Sequence, residues 1–393
     1  MFQHSQRTLV LFVAILFSSV VNGQTTQFQQ DMDWLVGKKQ AGYAVQVSQN
    51  GKVLFRQASG LANVEFDLAM KPDFRMEIGS ITKQFTAVAI FKLAEQGRLK
   101  LDDPISKYIS GISSLHGSAT LMDLLSHTSG LVDPLNDPEF WRTRVQEPIE
   151  LDELIQNFKN GHWQSAPGAR VQYSNVGYSF LAHVIEKVTA VSYYEYLQQA
   201  FFTPLNMTET QLFSFQITPN KASGYTYQGA NLRHHDFLNL NWAYGAANLT
   251  STVADLSRWF QGLMSGQVLS EVYLSKYLEK VRLGDGTQLN SGINFDVARF
   301  GKQDAYRISG STMGYSSHAI YFPSSKLQVV VLSNGDGING GDWLAPATLA
   351  AKLAATALVL PVPDFTPVTI TATELSKVVG RYESDDGVKR NIS

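Results

Sequence analysis

The chain has 393 residues, 44% hydrophobic and 17% charged, enough apolar material for a large core and not the make-up of a disordered, fibrous or stapled protein. Lysine plus arginine (32) nearly balances aspartate plus glutamate (34), a net charge of −2 that leaves no concentrated cationic surface, so nucleic acid is not an expected partner. Having no cysteine, the chain can form no disulfide, thiolate nucleophile, Cys-ligated zinc site or cysteine-linked lipid anchor.

The N-terminus reads as a processing segment. Arg7 gives a positive start, Leu9 to Val21 is an apolar run, and Val21-Asn22-Gly23 offers small residues for cleavage. The run is shorter than the roughly 20 residues that a bilayer span needs. Residues 1–23 are therefore expected to be a signal peptide, Gln24 the mature start, and the protein exported, periplasmic or secreted, with no stable membrane span after cleavage. An uncleaved anchor is the alternative.

Residues 24–361 carry no repeat, low-complexity tract or charge block and read as one unit. Tyr43 to Ser48 and Val53 to Gly60 are β-rich runs joined across Asn50-Gly51, a dipeptide that accepts the positive φ of a tight hairpin. Ser80 to Gln96 is apolar on nearly every side, as in a helix buried all round, with Gly97 to end it. Tyr178, Leu181, Ile185 and Val188 repeat at helical spacing, placing Tyr173-Ser174-Asn175 at a loop-to-helix junction. A strand over Ala305 to Ser309 precedes a second hairpin, Ala319 to Phe322 with Leu327 to Asn334. An alanine-rich helix from Leu344 to Val359 follows. Strands at both ends with helices between predict an α/β fold, an antiparallel sheet built from both chain ends, flanked by helices, with a mainly helical subdomain. Pro361-Val362-Pro363 begins a linker, and residues 362–393 form a short tail in which Val378 to Tyr382 reads as a strand lacking partners.

Ser80-Ile81-Thr82-Lys83 places a hydroxyl and an amine on one helix face at i, i+3. A lysine desolvated by a buried helix can lose its proton and activate such a hydroxyl, and a helix start offers free N–H groups to an oxyanion. Alone, the spacing is better read as a helix start with a surface lysine. Tyr173 and Asn175 add a phenol able to relay a proton and an amide able to hold a carbonyl. Ser309-Gly310-Ser311-Thr312 adds a strand on which glycine admits close backbone approach.

In these motifs, and in Leu101-Asp102-Asp103-Pro104-Ile105, Leu124 to Leu131 and Asn248-Leu249-Thr250-Ser251-Thr252, the stretch from Trp34 to Val359 resembles the serine β-lactamase-related hydrolases. These include penicillin-binding D,D-peptidases, class C-type β-lactamases and esterases. The resemblance implies an acyl-enzyme mechanism without cofactor or metal: Ser80 as nucleophile, Lys83 as base and Tyr173 as shuttle to the leaving group. Asn175 would orient the acyl chain, and Gly310 would let substrate approach an oxyanion site between the N–H groups of Ser80 and Ser311. One position departs from the pattern. Where the family's third motif opens with lysine or histidine, this chain has Ile308, and neighbouring Arg307 is expected to point to the opposite face unless a bulge shifts the register.

The remaining polar landmarks read as structural. His127 lacks an acidic partner at ligand spacing, His234-His235-Asp236 reads as a solvated loop, and Asp103-Pro104 as a capped helix start. Asn206-Met207-Thr208 and Asn248-Leu249-Thr250 match the glycan acceptor pattern. The expected function is an exported serine hydrolase acting on a small-molecule ester, amide or peptide. A cell-wall D,D-peptidase or β-lactamase, or a catalytically quiet peptide-binding member, are the alternatives.

Overall fold

The computed structural model describes residues 24–33, 40–161, 163–228, 231–339, 345–361, 380–383 and 389–392. The signal-peptide stretch 1–23 and most of the linker lie outside the described residues. The chain divides into two units, Met1–Pro361 and Val362–Ser393. In the second, Gly380–Glu383 pairs antiparallel with Lys389–Ile392, so the strand read as partnerless forms a hairpin within the tail itself.

The first unit is built on a seven-stranded antiparallel sheet. In chain order its strands are β1 (Tyr43–Gln49), β2 (Lys52–Ser59), β3 (Ser291–Gly292), β4 (Phe295–Phe300), β5 (Gln303–Thr312), β6 (Tyr315–Phe322) and β7 (Leu327–Ser333); in space they run β3-β4-β5-β6-β7-β1-β2. Both expected hairpins form, the first through Asn50 (φ 51°) and Gly51 (φ 77°). The sheet closes because β7, from late in the chain, pairs with β1 from its beginning. β7 is buried along its whole length, so both its faces carry apolar residues instead of alternating with polar ones.

The reason is a helix layer on each face. A helix over residues 24–33 (α1) and a C-terminal helix, Ala345–Leu358 (α5), pack Phe28, Met32, Leu349 and Leu353 against Val45, Val47, Val329 and Val331. The larger core on the other face collects α2 (Thr82–Glu95), α3 (Asn175–Thr189) and α4 (Val253–Met264). Helix α2 is buried on nearly every side, as its unbroken apolar sequence predicts, and Gly97 at φ 70° follows its end. It starts two residues later than predicted: Ser80 sits in a single 3₁₀ turn, Gly79–Ile81, that leads into it.

Two local expectations are corrected. Asp103 caps no helix; its carboxylate accepts from the Lys100 N–H, Lys107 Nζ and the Tyr108 hydroxyl, and this cluster lowers its pKa to about 2 against the opposing effect of burial. Asn248 is fully buried with its side-chain oxygen accepting from the Gly245 N–H, so the folded protein cannot present it for glycosylation.

Candidate active site

Two glycines bring the Ser80 turn against the end of β5. Gly79 has φ +50°, and a Cβ on it would stand 2.5 Å from the Ser311 nitrogen; a Cβ on Gly310 would stand 2.1 Å from the Ile78 carbonyl oxygen. No other residue type permits backbones this close. The Ser317 hydroxyl, from the neighbouring strand β6, shares its one proton between the Ile78 carbonyl at 2.9 Å and the Gly310 carbonyl at 3.2 Å, tying the two segments together. Ser80, Gly310 and Ser311 thus converge as the motifs suggested.

Helix α2 then carries Lys83 one turn on, 1% exposed. Its ammonium nitrogen lies 3.0 Å from Ser80 Oγ, 2.7 Å from Asn175 Oδ1 and 3.2 Å from the Ala246 carbonyl oxygen, so three acceptors surround a group that would be costly to bury unpaired. Tyr173, half-exposed on the loop before α3, shares a 2.6 Å hydrogen bond with Ser80 Oγ, and Lys83 Nζ lies 4.6 Å from its ring centre. Asn175 opens α3, whose N-cap Ser174 accepts from the Gly177 N–H. Ser80, Lys83, Tyr173 and Asn175, from two chain segments, therefore form one hydrogen-bonded cluster.

Ser80, Lys83 and Tyr173 line a cleft of about 320 Å³ with His127, Arg307, Ile308, Ser309 and residues from 281–296. Sequence reasoning placed Arg307 and Ile308 on opposite faces, with only a bulge able to bring Arg307 to the site. The pairing of β5 with β6 runs without a shift from Tyr306↔Tyr321 to Thr312↔Tyr315, yet both residues border the cleft. The cleft extends over β4, where Phe295 and Asp296 also line it, and Asp296 is the register partner of Arg307, so Arg307 borders the cleft without a bulge.

His127 is more than a packing residue. Burial, and secondarily the Lys83 charge, push its pKa down to about 3, so the ring is neutral; its Nδ1 accepts from the Ser174 N–H at 3.2 Å, and its ring packs 4.5 Å from that of Tyr173. Behind the wall, His318 is likewise held down to about 3 by burial and by Arg307, with Nδ1 2.7 Å from Ser309 Oγ. His234 lies 2.8 Å from Glu65 at the end of the exposed strand Asn231–His234, and His235 packs toward Tyr315. Among the described residues no group of three or more His, Asp or Glu side chains is placed to hold a metal ion.

Two site neighbours carried no motif. Asn294, at φ 61° in the turn between β3 and β4, donates to the Lys83 carbonyl at 3.2 Å and to the Tyr178 hydroxyl at 2.5 Å. Asp133, 1% exposed, accepts from the Asn175 backbone N–H at 2.8 Å and from Asn175 Nδ2 at 2.6 Å. Its only sequence signal is Asp133-Pro134, which reads as a turn.

The sequence pattern of the Beta-lactamase family matches residues 26–353. Penicillin-binding protein 4* of Bacillus subtilis (strain 168) is 26% identical over 317 residues, covering 76% of this chain and 69% of that protein. Protein flp of Staphylococcus aureus (strain N315) is 28% identical over 311 residues, covering 75% of this chain but only 59% of flp. Among solved structures, the octameric penicillin-binding protein homologue from Pyrococcus abyssi superposes with a TM-score of 0.73 at 26% identity, over 95% of this chain and 85% of that one. The D-amino acid amidase from Ochrobactrum anthropi SV3, complexed with L-phenylalanine amide, gives 0.73 at 20% identity, over 86% of this chain and 99% of its own, and shares the fold.

Proposed function

Because the chain belongs to the Beta-lactamase family of serine hydrolases, we propose that it is an exported enzyme that opens esters or small amides through an acyl-Ser80 intermediate. The observation that carries this reading is that two groups able to exchange a proton with Ser80 Oγ lie within hydrogen-bond reach of it, Lys83 Nζ at 3.0 Å and the Tyr173 oxygen at 2.6 Å. To act as the base Lys83 must give up one proton; its two remaining N–H bonds would then turn to Asn175 Oδ1 and the Ala246 carbonyl, with its lone pair toward the Ser80 hydroxyl. Ser80 attacks the substrate carbonyl as Lys83 takes its proton. The Ser80 and Ser311 N–H groups receive the oxyanion, and Tyr173 passes the proton to the departing alkoxide or amine. Water then releases the acyl group.

Ile308 on the wall supports neutral substrates, since it can neither donate a hydrogen bond nor carry charge. Arg307 beside it favours a second reading within the same chemistry, a carboxylate-bearing peptide or β-lactam. The amide class also draws support from the D-amino acid amidase that shares the fold, and the β-lactam class from the similarity to penicillin-binding protein 4*. Export rests on the pattern of residues 7–23 alone. In the decisive experiment a fluorophosphonate probe labels the wild type at Ser80, while Ser80→Ala folds but neither labels nor cleaves a short-chain ester. Labelling that survives in Ser80→Ala overturns the assignment, and Met1 retained in a membrane fraction favours the uncleaved anchor over signal-peptide cleavage.

A further inference from the structure

We propose that Asp133 is a positioning residue of this site, acting through Asn175 to hold Lys83 with its lone pair toward Ser80; the inference rests on the acyl-Ser80 reading above. Asp133 lies between Leu131, which bridges to Trp163, and the short 3₁₀ turn Pro134–Asn136. To cap that turn it needs one oxygen: Oδ1 accepts from the Leu135 N–H at 3.1 Å. Its second oxygen is spent wholly on Asn175, taking the backbone N–H at 2.8 Å and the side-chain Nδ2 at 2.6 Å. Burial raises the pKa of this carboxyl, and the Asn175 and Leu135 N–H groups with the Lys83 charge oppose that rise. A turn cap alone does not require a carboxylate kept 1% exposed.

The consequence falls on the amide. An ionised carboxylate only accepts, so it can pair with the Nδ2 end of Asn175 and never with the oxygen end. That settles which end faces Lys83: Oδ1, at 2.7 Å. With the amide turned over, Nδ2 would confront Lys83 Nζ, donor against donor, and the amine would lose one of the two acceptors that aim its lone pair. An asparagine at 133 offers both a donor and an acceptor and so permits either orientation. Asp133 does not line the cleft; apart from its through-space charge coupling to Lys83, it acts on the site through its hydrogen bonds to Asn175. One Nδ2 hydrogen remains outside the Asp133 bond, so the amide can still meet a substrate carbonyl.

The test is a double-mutant cycle on the mature protein, with a neutral short-chain ester as substrate and fluorophosphonate labelling run to completion to count competent sites. In Asp133→Asn, kcat per labelled site is expected to fall about ten- to hundredfold, the scale of a misoriented catalytic group, with KM moved by no more than about threefold. In an Asn175→Ala background the same substitution is expected to cost clearly less than in the wild type, because the hydrogen-bonded route to Lys83 is gone and only the through-space charge coupling remains. Unchanged kcat per labelled site, with loss confined to the labelled fraction and melting temperature, identifies a purely structural cap and overturns the proposal. So do losses that multiply in the double variant. If Asp133→Asn does not accumulate folded, Asp133→Ser, which keeps an oxygen for the Leu135 N–H, is read in the same cycle. A wild type that neither labels nor cleaves the ester points instead to failure of the acyl-Ser80 reading.

Discussion

The backbone nitrogen of Ser80 and Gly310 are so close that a Cβ on the glycine would stand 2.9 Å from that nitrogen and 2.1 Å from the Ile78 carbonyl oxygen. Neither neighbour can yield, since both are backbone. Gly310→Ala is therefore expected to push β5 away from the Ser80 turn, costing about 1 to 3 kcal/mol as an overpacking change. Turnover should fall more steeply than stability, because the same gap separates the Ser80 and Ser311 N–H groups. Urea midpoints and ester kcat measured side by side check this. Normal turnover in a destabilised variant would remove the oxyanion role from this contact.

Lys83→Ala is expected to lower ester turnover by roughly 10² to 10⁴, the usual scale for a general base. The substitution also strips a partner from Asn175 Oδ1 and the Ala246 carbonyl, so folded protein is confirmed first by its melting curve. Near-normal turnover would transfer the base role to Tyr173, the other group within reach of Ser80.

The wall of the cleft predicts a preference that can be reversed. Without a cation at position 308, a carboxylate-bearing substrate forgoes a charge-assisted hydrogen bond worth about 1.5 to 3 kcal/mol, or about ten- to two-hundredfold. Wild type should favour a neutral ester over a chromogenic cephalosporin in kcat/KM, and Ile308→His should narrow the gap by that factor. Arg307→Ala should weaken whatever cephalosporin cleavage remains while sparing the ester. Faster cleavage of the cephalosporin by the wild type would show that Arg307 already fills the cationic role.

Two buried histidines tie stability to pH. His127 and His318 titrate near 3 in the folded protein, below the ordinary value of 6.5, because burial penalises the charged ring. The unfolded chain therefore binds more protons than the native one between those values. Their contribution is complete above about pH 6.5 and is lost as pH falls toward 3, at about 1.4 kcal/mol per pH unit for each ring. His318→Gln should flatten the dependence of the urea midpoint on pH between 6 and 4. A slope identical to that of the wild type would mean that the ring is charged in the native state.

Much of the fold was legible because its signals are local. Asn50-Gly51 specifies a hairpin by its own backbone preferences, and the unbroken apolar run after Ser80 can satisfy only a helix buried on all sides. The spacing of Ser80 and Lys83 likewise determined that they would share one turn, and the Tyr173-Ser174-Asn175 junction was correctly set at the head of α3. Asp103 misled because a short polar residue before proline resembles a cap; the decision lay with Tyr108 and Lys107, which both donate to its Oδ2.

The sequence by itself thus determined the types and order of the elements and the candidates for the reacting groups, since propensity and covalent spacing act over a few residues. Only the tertiary structure decided that Arg307 reaches the cleft without a bulge, that His127 is a neutral acceptor against Tyr173, and that Asp133 holds the amide of Asn175. Each depends on residues tens of positions apart being packed to within a few ångströms. Burial and hydrogen-bond direction there are set by the whole core, which no local pattern encodes.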